Sequence, residues 1–199
     1  MKTTFNVLAA LLLAIGSSSA VAESSKFYGA IDVGQTKAKG ACDGLSAGWS
    51  CKDSATAMRI AGGYQITPTL GVEASYGDYG TLKASGPVLT ATVNTEAKMS
   101  GFAVHATGTL PINEAFSLFG KLGIARTTIK GSGTSSSPSV VVVGNEVSST
   151  KASFGIGAQY AITQKVALRA QYDDFGAVGD STVGTNKITL LSAGVVVKF

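Results

Sequence analysis

Nowhere in this chain are there about 20 consecutive apolar residues, the length a membrane-spanning helix requires, yet eight segments alternate apolar and polar residues with period two. Alternation over four to eight or more residues is the mark of a strand with two unlike faces. The segments are 27–35, 58–66, 70–76, 102–110, 116–124, 153–162, 166–173 and 189–199. In "FYGAIDVGQ", Phe27, Ile31 and Val33 share one face, with Tyr28, Ala30, Asp32 and Gly34 on the other. In "LGVEASY", Leu70, Val72, Ala74 and Tyr76 oppose Gly71, Glu73 and Ser75. Phe119, Leu190 and Val196 depart from the pattern of their segments. A soluble barrel turns its apolar side chains inward. Here the second face carries Arg59, Glu73, Lys121, Arg169 and many glycines, which suits a polar lumen. The expected fold is therefore all-β, an eight-stranded antiparallel up-and-down transmembrane β-barrel with its apolar face toward lipid.

The connections and aromatics agree with that fold. The links 67–69, 111–115 and 163–165 are short, whereas 36–54, 77–98, 128–150 and 174–186 are long and polar. Short turns at one end and long loops at the other are the asymmetry of an outer-membrane barrel. The short turns are expected to be periplasmic and the long segments extracellular loops. Tracing the strands up and down puts Phe27, Tyr64, Phe116, Tyr160 and Phe199 at the periplasmic rim of the apolar face. Tyr76, Phe102, Phe154 and Tyr172 fall at the opposite rim of that face. Two aromatic girdles bounding an apolar band fit the two membrane interfaces.

The N-terminus combines Lys2, an apolar run from Val7 to Ile15, and Ala20 and Ala22 in a small-x-small pattern before Glu23. This predicts a cleaved signal peptide over 1–22 and a barrel domain over 23–199. Lys2 is one of the 16 basic residues, so the mature chain carries 15 against 12 acidic ones, scattered without a basic run. That distribution gives no footprint for nucleic acid. In an exported chain the only two cysteines, Cys42 and Cys51, predict a disulfide. His105 is the sole histidine, so a metal site lacks ligands, and no cofactor is expected. His105 is predicted to face inward with Thr107 as its same-face neighbour, a poor match to a His-x-Ser dyad on the lipid face. "GDYG" and "KGSGTSSSPS" are glycine-rich but lack phosphate-loop spacing. The Val140–Val143 run is apolar inside a polar segment, and Trp49 lies between the cysteines; each reads either as packing or as a surface contact.

With "FYGAIDVGQT", "GGYQITPTLGVEASYGDYG", "ATGTLPINEAFSLFGKLGIAR", "GAQYAITQKVALRAQY" and the terminal Phe, the sequence resembles the OmpA-like transmembrane domain family. The resemblance implies an eight-stranded barrel in a Gram-negative outer membrane, serving as a structural protein, a surface receptor or adhesin, or a narrow pore. Many members add a C-terminal peptidoglycan-binding domain; this chain ends at the barrel, so no such anchor is expected. By motif, Glu73 and Arg169 fall on a lumenal acid–base pair proposed as a gate, and Lys121 on a further lumenal base. A second family charge pair is replaced by Thr107 and Gln159, so the lumen is expected to be net positive, with Glu73 facing Arg59, Lys121 and Arg169. The last strand, with Val195, Val197 and Phe199, resembles the signal read by the barrel assembly machinery.

The reading from sequence is a non-enzymatic barrel with a structural and surface-interaction role through its extracellular loops. The alternatives are a low-conductance porin-like channel lined by the four lumenal charges and, more remotely, a lipid-modifying enzyme using His105. Expected partners are outer-membrane lipids and lipopolysaccharide, the barrel assembly machinery during biogenesis, and a host or surface ligand at the loops, with no nucleic acid.

Overall fold

A computed structural model describes residues 26–88, 91–136, 144–180 and 184–199, without side chains for 179, 180, 184 and 185. The predicted leader and the Val140–Val143 run lie outside the described residues. The strands are β1 (Phe27–Lys39), β2 (Ser50–Lys52), β3 (Ser54–Gln65), β4 (Leu70–Val88), β5 (Ala91–Pro111), β6 (Phe116–Ser135), β7 (Glu146–Ala161), β8 (Val166–Asp180) and β9 (Gly184–Lys198). All pairings are antiparallel, β9 closes on β1, and β4 pairs with β5, so the sheet is a complete cylinder. The short β2 continues β3 beyond Asp53, which makes eight walls from nine strands.

The alternation decides which way each side chain points. Ile31, Val33, Ile60, Val72, Val104, Leu122, Ile124, Ile156 and Leu191 are exposed on the outer face. Large aliphatic groups left this open in water would cost about 25 cal/mol per Å², a cost that vanishes in hydrocarbon. The three residues that break the pattern have an explanation: Phe119, Leu190 and Val196 point inward and are buried. The aromatic ring of Phe119 occupies the space over Gly157, where a Cβ would collide with it.

The short turns are held by side-chain oxygens of the type that satisfies turn amides. Thr67 Oγ1 accepts from the Thr69 and Leu70 amides, Thr163 Oγ1 from Lys165 and Val166, and Asn113 Oδ1 from Ala115 and Phe116.

The other end differs from expectation. The segments 77–98 and 128–150, read as loops, are strand over most of their length. A tilted strand needs about 9–11 residues to cross the bilayer, whereas β4, β5 and β6 have 19, 20 or 21. The surplus forms a crown standing outside the membrane. Its outer face meets water, so polar residues occupy both faces and the alternation loses contrast. Ladder pairing still holds it, reinforced by Lys83–Glu96 at 2.7 Å, Lys130–Glu146 at 3.1 Å and a 2.8 Å Thr128–Ser148 hydrogen bond. The first loop, 40–49, remains a loop and carries the Cys42–Cys51 disulfide. Trp49 is half-buried, its ring laid over Gly86 of β4, so it packs the loop onto the crown.

The disulfide joins this loop to β2, and its loss should be felt there first. Replacing both cysteines with serine is expected to lower barrel stability by at most about 2–3 kcal/mol, the loop-closure limit for so short a ring. Limited proteolysis should then cut within 40–49 while the boiled-versus-unboiled gel shift of the barrel persists.

Candidate functional site

Six charged side chains meet in the membrane-level lumen and form a closed ring of alternating sign. Arg59 Nη2 lies 2.9 Å from Asp32 Oδ2, and Arg169 Nη2 lies 2.7 Å from the same oxygen. Arg169 Nη1 reaches Glu73 Oε2 at 2.6 Å, and Glu73 Oε1 is 3.4 Å from Lys121 Nζ. Lys121 contacts Asp173 Oδ1 at 2.8 Å, and Arg59 Nη1 returns to Asp173 Oδ2 at 2.8 Å. Every member touches two opposite charges, and none is more than 4% exposed.

Burying an ion is tolerated only with partners and hydrogen bonds. The ring supplies both, and neighbours complete it. Tyr28 donates to Glu73 Oε2 at 3.2 Å, and Lys121 donates to Gln171 Oε1 at 2.9 Å. Glycine makes the necessary room. A Cβ at Gly63 would enter the Tyr28 ring, and one at Gly155 would strike Asp173 and Lys121.

The structure thus brings together Arg59, Glu73, Lys121 and Arg169, but adds Asp32 and Asp173, so the expected positive lumen is corrected to a neutral one. Asp32 and Asp173 sit on the polar faces of β1 and β8, where alternation marks them as lumenal without indicating which cations they meet. Thr107, opposite Lys121 in the β5–β6 register, is buried; Gln159, opposite Arg169 in the β7–β8 register, is half-buried.

His105 is 1% exposed and its Nε2 is 2.8 Å from Ser153 Oγ. A His–Ser contact therefore exists, but it is sealed inside the barrel wall. A lipid substrate would have to cross that wall to reach it.

Above the charge ring the lumen becomes apolar. Tyr79, Leu82, Met99, Phe175, Val178, Ile188 and Leu190 are buried together with Ala38, Ala57, Ala103 and Ala125. At its centre Tyr79 and Phe175 pack against each other, ring centroids 4.8 Å apart and planes tilted by 38°. Both rings come from the same local device, an Asp-aromatic-Gly bulge. Asp78 Oδ1 accepts from Gly80 N and Asp174 Oδ1 from Gly176 N, each at 2.9 Å. Gly80 and Gly176 have φ of 85° and 74°, a region that glycine enters without strain. "DYG" and "DFG" were both present in the sequence, and their recurrence was the signal that could have located this plug.

The predicted girdle residues lie where strand pairing puts them. Phe27 pairs with Tyr64 and Phe116 with Tyr160 near the short turns, and Phe199 donates its amide to the Phe27 carbonyl. Tyr76 pairs with Phe102 at the upper edge of the apolar band; Phe154 and Tyr172 are exposed on the outer wall of β7 and β8. Val195 and Val197 pair with β1 and β8 across the closing seam.

The family model for the OmpA-like transmembrane domain matches residues 22–199. Outer membrane protein A of Klebsiella pneumoniae is 32% identical over 142 residues, covering 69% of this chain and 39% of that relative. The match thus spans about two fifths of the relative's length. Among solved structures, OprG from Pseudomonas aeruginosa superposes with TM-score 0.58 at 15% identity, covering 90% of this chain and 99% of that one. Ail of Yersinia pestis superposes with TM-score 0.57 at 19% identity, covering 89% and 100%. With its closed eight-walled barrel, lipid-facing band and matching family model, the chain belongs to the OmpA-like transmembrane domain family and is an integral protein of the Gram-negative outer membrane.

Proposed function

We propose that this chain is a non-enzymatic surface-interaction barrel whose lumen is a scaffold and whose crown presents the binding surface. The observation that carries this reading is the double closure of the lumen by a neutral charge ring below and an apolar plug above. The side chains of both layers are buried. The crown, by contrast, projects strands well past the bilayer and displays charged and hydroxyl side chains to solvent. A barrel of the same fold, Ail of Yersinia pestis, has been crystallised in complex with the heparin analogue sucrose octasulfate; at 16% identity its likeness to this chain is one of fold. We include in the proposal a leader removed after Ala22, and delivery to the assembly machinery through the strand that ends at Val195, Val197 and Phe199.

One observation favours a low-conductance channel as second reading. Glu73 already holds two cations, Arg169 at 2.6 Å and Lys121 at 3.4 Å. Exchange between them would be a route to opening the lower layer. Planar-bilayer recording of the refolded chain separates the readings. We expect a folded wild-type barrel to be electrically silent, and Glu73→Ala to remain silent because the Tyr79–Phe175 layer still closes the lumen. Reproducible unitary steps whose ion selectivity changes in Glu73→Ala would replace the scaffold reading with the channel.

A further inference from the structure

On β5 and β6 the outer wall changes from apolar to cationic within a few residues. Ile124 is the last outward apolar residue of β6, and the next outward residue is Arg126. On β5 the last is Phe102, followed outward by Ser100 and Lys98. Register sets their neighbours. Arg126 lies between Phe102 on β5 and Thr150 on β7. Above that row Ser100 is opposite Thr128, and above that Lys98 is opposite Lys130. All share the outward parity of their strands.

Like charges directly opposite on one face repel. Here each lysine is drawn away from the other. Lys98 Nζ lies 3.4 Å from Asp78 Oδ2 on β4, and Lys130 Nζ lies 3.1 Å from Glu146 Oε2 on β7. The strip between them, on the β5–β6 ladder itself, carries only hydroxyls. Arg126 bounds the strip below; it is exposed and has no anionic partner among the described residues. Three cations therefore surround a floor made by Ser100 and Thr128. Beside this strip a shallow apolar groove runs down the wall from Phe102 and Tyr76 to Gly62 and Ala74, edged by Ile60. Gly62 pairs with Ala74, and nothing lies within 4 Å of a Cβ at Gly62.

We propose that the strip binds a phosphate on the sugar headgroup of an outer-leaflet glycolipid, lipopolysaccharide, with one of its acyl chains in the groove. Position and charge together argue this occupant. The cations stand just above the apolar band, at the depth of lipid headgroups, and the groove beneath them lies in hydrocarbon. The short turns, expected in the periplasm, put this end of the wall in the outer leaflet. A guanidinium fork matches phosphate oxygens in a bidentate geometry. The hydroxyl row Ser100, Thr128 and Ser148 crosses three adjacent strands, about 10 Å, which suits a sugar headgroup better than a glycerol one.

This inference concerns the lipid-facing wall, goes beyond the surface-interaction reading and fails separately from it. The refolded barrel is placed in phosphatidylcholine nanodiscs doped with lipid A, the diphosphorylated anchor of that glycolipid. Parallel samples carry lipid A stripped of its phosphates, or phosphatidylglycerol. Retained lipid is read by native mass spectrometry, and the backbone amide shifts of Ser100, Arg126 and Thr128 by NMR. We expect lipid A to be retained and to move those amides. Arg126→Gln, an exposed change that should leave the gel shift intact, should weaken retention by roughly tenfold or more, the scale of a lost charge-assisted hydrogen bond. Lys130→Gln should weaken it further when combined. Lys39→Gln removes the same charge from the exposed outer wall of β1, across the cylinder, and should leave retention unchanged. Equal loss in Lys39→Gln would overturn the site in favour of unspecific attraction to a cationic barrel. Equal retention of the stripped lipid would reduce it to apolar contact, and equal retention of phosphatidylglycerol would overturn the glycolipid as occupant. None of these outcomes bears on whether the crown binds a partner.

Discussion

Arg169→Met should be among the most damaging conservative-volume changes in the barrel. Removing this cation leaves Asp32 with Arg59 alone and Glu73 with Lys121 alone, and gives the lumen a net negative charge. Breaking one partner out of a buried ion set costs about 3–5 kcal/mol, because the remaining charge stays desolvated. The expected result is a loss of that size in urea unfolding from phospholipid vesicles, followed by the gel shift between boiled and unboiled samples. The ring makes a second, sharper demand. Arg169→Met combined with Glu73→Gln restores neutrality and leaves the chain Asp32–Arg59–Asp173–Lys121 intact. The double variant should therefore be less destabilised than the sum of the singles, by about 0.5–3 kcal/mol, the range found for directly coupled neighbours. Additive losses would mean that the six groups act as separate pairs and not as a ring.

Gly123→Val is expected to prevent the barrel from forming. A Cβ at Gly123 would collide with the Val104 carbonyl oxygen and come within 2.8 Å of the His105 Cα, both backbone atoms of β5. Ordinary overpacking costs about 1–3 kcal/mol because side chains shift to new rotamers. Here the obstruction is the adjacent strand, so relief requires the β5–β6 ladder to separate. Refolding trials should yield no heat-modifiable band. Gly62→Ala is the matched control, since nothing lies within 4 Å of a Cβ there, and its gel shift and urea midpoint should stay at wild-type values. A folded Gly123→Val barrel would show that the wall adapts more than its register implies.

Much of the fold was readable along the chain because a transmembrane strand obeys one local rule. Each residue faces lipid or lumen by parity, so Ile31, Val72, Phe102 and Leu122 declare the outer wall without reference to any partner. The exceptions were readable as exceptions only. Phe119, Leu190 and Val196 looked like noise until the lumen was seen to hold a plug and apolar patches as well as charges. The crown escaped for a related reason: with water on its outer face, segments such as 77–88 lose apolar contrast and look like loops, although 77–88 is strand and pairs with β5 along its length apart from the bulge at Tyr79.

By itself the sequence determined the strand count, the membrane-facing surface, the up-and-down order and the class of residue that lines the lumen, since all follow from local alternation and the spacing of turns. Only the tertiary structure decided which charges meet. Asp32 and Arg169 are 137 positions apart, and Arg59 and Asp173 are 114 apart. Their encounter depends on the register of β1 with β9 and of β8 with β9, and on closure of the cylinder. Neutrality of the lumen and the meeting of Tyr79 with Phe175 are likewise properties of closure: each depends on which distant strands are brought face to face, and no local pattern of residues encodes that.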